Sequence, residues 1–158
     1  MAMQVKRKIC SPQSKRNRVK LEGSLLKDIL AWELRNWSRA ILFWDENFEV
    51  PDNSESIAVG ERDGGISLWL ALNGSKVICS DLNGASIKAR ALHSKYEVEG
   101  QVDYKEANLC ELPFSDNSFD IVALKSVFGA LGEFEKQEEA FREISRVLKP
   151  GGTFLFVE

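Results

Sequence analysis

From about residue 56 onward, short apolar segments alternate with longer amphipathic ones, and this alternation is the strongest constraint on the fold. The segments SIAVG (56–60) and KVICSD (76–81) carry β-branched residues and end at glycine or aspartate, which is typical of buried strands. Between them, GISLWLALN has the length and composition of a buried helix. Strands alternating with helices form βαβ units, so we expect an α/β fold: a three-layer sandwich with a mainly parallel sheet and helices on both faces.

The same patterns predict the other elements and three regions of the chain. Residues 1–20 read as a basic flexible arm, 21–55 as an N-terminal helix ending near Trp44 plus a linker, and 56–158 as the core. The predicted strands of the core are 56–60, 76–81, 101–105, 119–124 and 153–157, and its predicted helices are 64–73, 85–96 and 133–148.

Composition excludes several classes of protein. The 158 residues are 44% apolar with a net charge of −3, which supports a folded core and gives no general sign of polyanion binding. Three cysteines without a CxxC pair favour a reducing compartment, and a single histidine leaves no His-rich metal site. We therefore expect a cytoplasmic protein without a membrane segment or metal. The basic arm makes RNA a possible but secondary partner, and we favour a small-molecule acceptor.

The turn after the first strand, GERDGG (60–65), is the first candidate ligand site. Glycines let a backbone approach a ligand closely, and the following helix begins with unpaired N–H groups. A phosphate-binding P-loop would need lysine where Ile66 stands, and a dinucleotide turn would need glycine at Arg62. Two interpretations remain open for this turn: a site for a nucleoside that carries an amino acid, and a tight connection without a ligand.

Asp81 ends the second strand about twenty residues after Gly60. A carboxylate at that place can accept hydrogen bonds from both hydroxyls of a ribose. The alternative role is an N-terminal cap for the helix that follows. Together with the glycine turn, Asp81 favours a nucleoside ligand.

Three segments carry a resemblance to a known family. VGERDGGISLWLALNGSKVICSDL, ANLCELPFSDNSFDIV and REISRVLKPGGTFLFVE, in this order, resemble motifs of class I S-adenosylmethionine-dependent methyltransferases over about residues 56–158. The resemblance implies a Rossmann-like fold, S-adenosylmethionine as cofactor and transfer of its methyl group to an acceptor. A non-catalytic binding module with a degenerate methyltransferase fold is the alternative, and a nicotinamide-dependent oxidoreductase is disfavoured by Arg62.

The resemblance also implies roles for particular residues. Those that would contact the cofactor are Gly60, Glu61 and Gly64 at the methionine part, Asp81 at the ribose, Leu82, Asn108 and Leu109 at the adenine, and Lys125 towards the acceptor. We favour a solvated strand end for Lys125. The family's usual acidic residue is replaced by Ala58, its middle glycine by Arg62, and its adenine-contacting acid by Asn108. We expect Arg62 or Asp63 to compensate by pairing with the charged groups of the cofactor.

The sequence leaves the catalytic residue unknown. The candidate bases are Glu61, Asp63, Lys125 and Glu133. We expect His93 on the protein surface away from the cleft, and Cys79 and Cys110 as buried small residues. By resemblance, the family's sheet continues beyond a fifth strand, so the core is expected to be incomplete at its C-terminus and residues 153–157 to be covered in a homodimer.

Overall fold

A computed structural model of the chain describes residues 20–31 and 34–158. The predicted basic arm falls almost entirely outside the described residues. Five strands form one parallel sheet in the order β3-β2-β1-β4-β5. The strands are β1 Glu55–Val59, β2 Lys76–Asp81, β3 Val102–Glu106, β4 Phe119–Lys125 and β5 Leu148–Val157. The helices are α1 Gly23–Leu30, α2 Leu34–Asn47, α3 Gly65–Leu72, α4 Ile87–Lys95, α5 Phe128–Leu131 and α6 Phe134–Val147, with a 3₁₀ turn at Glu99–Gln101.

Central strands buried on both faces explain why the sequence shows continuous apolar runs. Four consecutive residues of β1, from Ser56 to Val59, are buried. Alternate residues of β1 enter two separate cores: Ala58 joins the cluster that contains α1, α3 and Trp69, whereas Ile57 joins the cluster beneath α6. This is the three-layer, Rossmann-like arrangement expected from the sequence, and it confirms the predicted fold class.

The order of the strands places the ligand-binding edge. The chain runs from β1 outward through β2 to β3, and then returns to the other side of β1 to form β4. Adjacent strands of an open parallel sheet leave a crevice at such a switch, beyond their carboxyl ends. Gly60 follows β1, Asp81 ends β2 and Lys125 ends β4, so all three lie at this edge.

The single N-terminal helix predicted for 21–44 is wrong in one respect. The structure has two helices, because α1 ends at Leu30 and α2 begins at Leu34. Ala31 takes φ 61° and its N–H bonds to the carbonyl of Lys27, which closes the last turn of α1. The apolar spacing continues across the break, so it could not reveal it.

The C-terminal part also departs from the expectation in detail. β5 starts at Leu148 instead of 153, and it contains the Lys-Pro-Gly-Gly segment with a register irregularity opposite Phe119 and Ile121. On α6, the side chains of Phe134 and Phe141 are 69% and 48% exposed. β5 is an edge strand, and Phe156 on it is also partly exposed.

Among the described residues, no helix combines the length and the apolar character needed to cross a bilayer. In the same ranges, no cluster of three or more histidine, cysteine, aspartate or glutamate side chains could hold a metal ion.

Candidate functional site

A cleft of about 280 Å³ opens at the switch in strand order. Three parts of the fold form it: the turn after β1, the ends of β2 and β4, and the C-terminal end of α1. The residues that line it are Ile29, Ala31, Gly60, Glu61, Arg62, Asp63, Gly64, Gly65, Asp81, Lys125 and Ser126. The structure therefore brings six of the nine predicted cofactor residues together in one cleft: Gly60, Glu61, Arg62, Gly64, Asp81 and Lys125.

Two glycines of the turn adopt a left-handed backbone conformation and touch other parts of the protein. Gly60 and Gly64 have φ values of +72° and +79°. A Cβ atom on Gly60 would lie 2.6 Å from a methyl group of Val127, and one on Gly64 would lie 2.8 Å from Cβ of Ala89. Both glycines are thus required by the backbone and by packing. The glycine pattern alone does not separate a ligand-binding turn from a tight connection.

The C-terminal end of α1 closes one side of the cleft. A Cβ atom on Gly65 would lie 1.9 Å from the carbonyl oxygen of Ile29, so only glycine lets α1 dock here. Nζ of Lys125 donates a 2.7 Å hydrogen bond to the carbonyl of Leu30. Burial lowers the pKa of Lys125, although the carboxylates of Glu61 and Asp63 act in the opposite direction. The solvated strand end that we favoured for Lys125 is wrong, because its amine is partly buried and fastens α1 to β4.

Glu61 is buried beneath the turn rather than pointing into solvent. Its side chain exposes 5% of its surface, and Oε2 accepts hydrogen bonds from the N–H and the hydroxyl of Ser67 at 2.9 and 3.0 Å. Burial raises the pKa of this carboxyl group above its ordinary value. The carboxylate of Glu61 thus orders the start of α3. The family's usual acidic residue is replaced here by Ala58, which is fully buried in β1 and has no carboxylate.

Arg62 and Asp63 form the outer part of the same turn. The guanidinium of Arg62 is 76% exposed and lies 3.5 Å from the carboxylate of Asp63. Ser86 donates a hydrogen bond to the carbonyl of Arg62, which ties the turn to the start of α4. Both charged side chains line the cleft, where they remain available for the compensating contacts proposed from the sequence.

Asp81 does not serve as the helix cap that was its alternative role. The N-cap of α4 is Ser86, whose hydroxyl accepts a 3.2 Å hydrogen bond from the N–H of Ala89. Oδ1 of Asp81 accepts one weak backbone hydrogen bond, 3.3 Å from the N–H of Asn83. The half-buried carboxylate lines the cleft next to the glycine turn.

The three residues predicted at the adenine lie outside this cleft lining. Leu82 is 59% exposed directly after Asp81. Leu109 is buried in the core beneath α6. Asn108 is exposed, and its Oδ1 accepts a 3.0 Å hydrogen bond from the N–H of Cys110. Their contact with an adenine stays a prediction.

The structure corrects the expectations for Glu133 and Cys110 and agrees with the expectation for Cys79. Glu133 is absent from the residues that line the cleft, and it pairs with Lys136 at 3.3 Å at the start of α6. Cys79 is buried as expected, and burial raises the pKa of its thiol to about 12, which rules out a reactive thiolate at neutral pH. Cys110 is only half-buried.

His93 is the functional candidate that sequence reasoning placed wrongly. We expected it on the surface, but it is completely buried directly beneath Gly64 and bonds to the turn. The one sequence signal was its position one helical turn after Ala89, which is also buried. The apolar pattern of α4 is too weak for that signal to stand out.

Comparison with known proteins shows the family to which the chain belongs. The model of a methyltransferase domain matches residues 57–156, so the chain belongs to this family, that of the class I S-adenosylmethionine-dependent methyltransferases. The ubiquinone/menaquinone biosynthesis C-methyltransferase of Salmonella arizonae is 43% identical over 84 residues. That match covers 52% of this chain but only 32% of the Salmonella protein.

Solved structures show the same fold at low sequence identity. A protein from Pyrococcus horikoshii OT3 superimposes with a TM-score of 0.66 and 24% identity, covering 82% of this chain and 60% of that one. A SAM-dependent methyltransferase from Aquifex aeolicus gives a TM-score of 0.59 and 19% identity, covering 82% and 69%. These likenesses agree with the fold described above.

Proposed function

We propose that the protein binds S-adenosylmethionine in the cleft and transfers its methyl group to a small-molecule acceptor. The observation that carries this proposal is the placement of the Asp81 carboxylate beside the turn 60–65, at the switch in strand order. Membership of the methyltransferase family supports the choice of this cofactor over a nicotinamide.

The charges around the cleft fit the cofactor. Asp81 supplies the carboxylate for the ribose hydroxyls, and it is not used elsewhere as a helix cap. The methionine part carries an ammonium and a carboxylate group. Asp63 and Arg62, at the mouth of the cleft, offer a partner of opposite charge to each. We assign Leu82 to the adenine face, with Asn108 and Leu109 at the adenine edge.

The bound cofactor supplies a methyl group attached to a positively charged sulfur, and the carbon of that methyl group is already electrophilic. The protein therefore has to hold the acceptor in line and keep water out, and such alignment can lower the barrier by about 7–11 kcal/mol. A hydroxyl acceptor would need a base to remove its proton, and of the candidate bases Glu61 is engaged with Ser67 and Asp63 is already assigned to the cofactor ammonium. A nitrogen acceptor with a free lone pair can react without a strong base from the protein, whereas a ring carbon has to release its own proton, to solvent or a nearby base, after the methyl group is attached.

The acceptor class is inferred from a relative. The Salmonella protein is named as a C-methyltransferase of ubiquinone and menaquinone biosynthesis. We therefore propose small molecules with activated ring carbons as the first acceptors to test, followed by small molecules with nitrogen or oxygen acceptor atoms. RNA is the second class of acceptor, after small molecules.

The decisive experiment supplies methyl-labelled S-adenosylmethionine to the protein with pools of aromatic small molecules and, separately, with RNA. Transfer to a small molecule that is lost in Asp81→Asn supports the proposal. Binding of adenosylhomocysteine without transfer in any pool supports the alternative, a non-catalytic nucleoside-binding module.

Association of two copies through residues 153–157 is a separate proposal, based on the open edge of β5. A monomer in light scattering at high concentration would contradict it.

A further inference from the structure

Four polar side chains form a continuous chain of contacts beneath the glycine turn. The hydroxyl of Ser67 lies 3.0 Å from Oε2 of Glu61 and 3.2 Å from Nε2 of His93. On the other side of the ring, Nδ1 of His93 lies 2.8 Å from the hydroxyl of Tyr104. Glu61, Ser67 and His93 are buried, so this polar row crosses from the cleft to β3 within the protein.

The acceptor at the Nε2 end of the ring fixes a proton on that nitrogen of His93. Nε2 lies 2.9 Å from the carbonyl oxygen of Gly64, and a carbonyl can only accept a hydrogen bond. Nε2 must therefore carry a proton. In the neutral ring Nδ1 then has a lone pair that accepts from the hydroxyl of Tyr104, so the neutral form that fits these contacts is the Nε2–H tautomer.

The ring also fills the space under Gly64. A Cβ atom on that glycine would lie 3.0 Å from Cε1 of His93. Gly64 has a left-handed φ of +79°, and its carbonyl accepts from His93 and also from the N–H of Leu68 in α3. His93 thus contacts one of the two left-handed glycines of the turn.

Charged and titratable groups face this row from each neighbouring element. Glu61 lies on the turn, Glu99 lies in the 3₁₀ turn, and Tyr104 lies on β3. Tyr104 is itself covered by the guanidinium of Arg90, 4.0 Å from its ring centre, and it faces Cys79 on β2. Burial is the main influence on the ring, and it lowers the pKa of His93, although Gly64 and Glu99 act in the opposite direction. This shift favours the neutral form of the ring.

We propose that His93 is a positioning residue for cofactor binding: its neutral Nε2–H form holds the Gly64 carbonyl and, through Ser67, the Glu61 carboxylate in their binding positions. The inference rests on the proposed function, since it assigns the turn 60–65 to the methionine part of the cofactor. It adds a specific consequence. Protonation would take place at Nδ1 and would replace the acceptor that faces the Tyr104 hydroxyl, which disturbs the row of contacts. Because the inference makes the intact row part of the binding state, cofactor binding and protonation of His93 should oppose each other, and this coupling is reciprocal.

The single histidine of the chain makes this coupling directly measurable. Imidazole ¹⁵N signals of the untagged protein are recorded against pH, with and without saturating adenosylhomocysteine. We expect the Nε2–H pattern at pH 7.5, and a titration midpoint that falls by about 0.5 pH unit or more when the ligand is added. That shift corresponds to a roughly threefold coupling. A role limited to folding would leave the midpoint unchanged by the ligand.

Two tyrosine variants give a matched comparison. Tyr104→Phe removes the donor to Nδ1, so protonation of the ring becomes easier and the midpoint should rise. Tyr96→Phe removes a hydroxyl of the same kind that bonds to Asp28 at 2.7 Å instead, and it should leave the midpoint unchanged. His93→Gln keeps an N–H donor and should bind within about threefold of the wild type, whereas His93→Leu should bind at least about tenfold more weakly.

The outcomes separate the inference from the proposed function. If calorimetry shows adenosylhomocysteine binding but the histidine midpoint does not move, His93 is not a positioning residue and the cofactor assignment stands. An Nδ1–H pattern would also overturn the inference. If the wild type does not bind adenosylhomocysteine at all, the proposed function fails and the inference falls with it.

Discussion

At one end of the cleft the turn 60–65 is packed against the protein on several sides, whereas at the other end Asp81 is half-buried and Leu82 is largely exposed. The turn contacts α1 through Gly65, α3 through Glu61 and α4 through Gly64. Asp81 makes one weak side-chain hydrogen bond to its own loop. The comparison teaches that the turn end is part of the folding core as well as of the site. Changes at the packed residues of the turn should alter stability and binding together, and changes at Asp81 should alter binding alone.

Gly65→Ala should have the largest effect, on the turn end. The new Cβ atom would meet the Ile29 carbonyl at 1.9 Å, and backbone on both sides cannot move aside without shifting α1. We expect a loss of about 3 kcal/mol in the free energy of unfolding, measured by urea denaturation. The control Gly100→Ala has open space at its Cβ position and should change stability by less than about 0.5 kcal/mol. Equal stability of the two variants would contradict the described docking of α1.

Asp81→Asn tests the opposite end. We expect about 10- to 100-fold weaker binding of adenosylhomocysteine by calorimetry, because hydrogen bonds to a charged group contribute about 1.5–3 kcal/mol. The melting temperature should stay unchanged, since the amide oxygen can still accept from Asn83. Glu106→Gln is the matched control, because Glu106 pairs with Asp81 in the register of β2 and β3. A similar loss of affinity in both variants would mean that Asp81 acts only through the general charge of this edge.

Glu61→Gln measures how the turn end couples to pH. Burial raises the pKa of Glu61 in the folded state, so its contribution to stability is fully present below the unfolded pKa of about 4.3 and is lost as pH rises through the folded value. The stability of the wild type minus that of the variant should therefore fall as pH rises from 4 towards 8. The exposed carboxylate of Glu55, replaced in Glu55→Gln, controls for general charge effects. A difference that grows with pH would show that the carboxylate is stabilised in its charged form instead.

Arg62→Ala should have the smallest effect. An exposed ion pair contributes about 0.2–1 kcal/mol, so we expect at most about fivefold weaker binding of adenosylhomocysteine and no change in stability. Arg142→Ala is a close control, since Arg142 is 76% exposed like Arg62 but lies on α6. If Arg62→Ala and Arg142→Ala both bind like the wild type, Arg62 has no contact with the cofactor.

The parts of the fold predicted correctly are those set by local pattern. The apolar runs of β1, β2 and β4 and the amphipathic α6 agree with the structure within one or two residues, because burial of a strand or helix face leaves its period in the sequence. The break at Ala31 was missed, because the apolar spacing continues past it and an alanine gives no local signal of a positive φ.

The sequence predicted those site residues that lie at the ends of strands. Gly60 and Asp81 follow from topology and spacing. The buried roles of Glu61, Lys125 and His93 depend on partners at Ser67, Leu30 and Tyr104, far away or on other elements. Single charged or polar residues look solvated in a sequence, because contacts between distant elements have no sequence period.

The most direct test of the whole account is a crystal structure of the protein with adenosylhomocysteine. We predict a ribose whose two hydroxyls bond to the Asp81 carboxylate, with the amino-acid part against the turn 60–65 and the Nε2–H of His93 still on the Gly64 carbonyl. A cleft closed by α1, or a ligand bound elsewhere with Asp81 facing solvent, would contradict it.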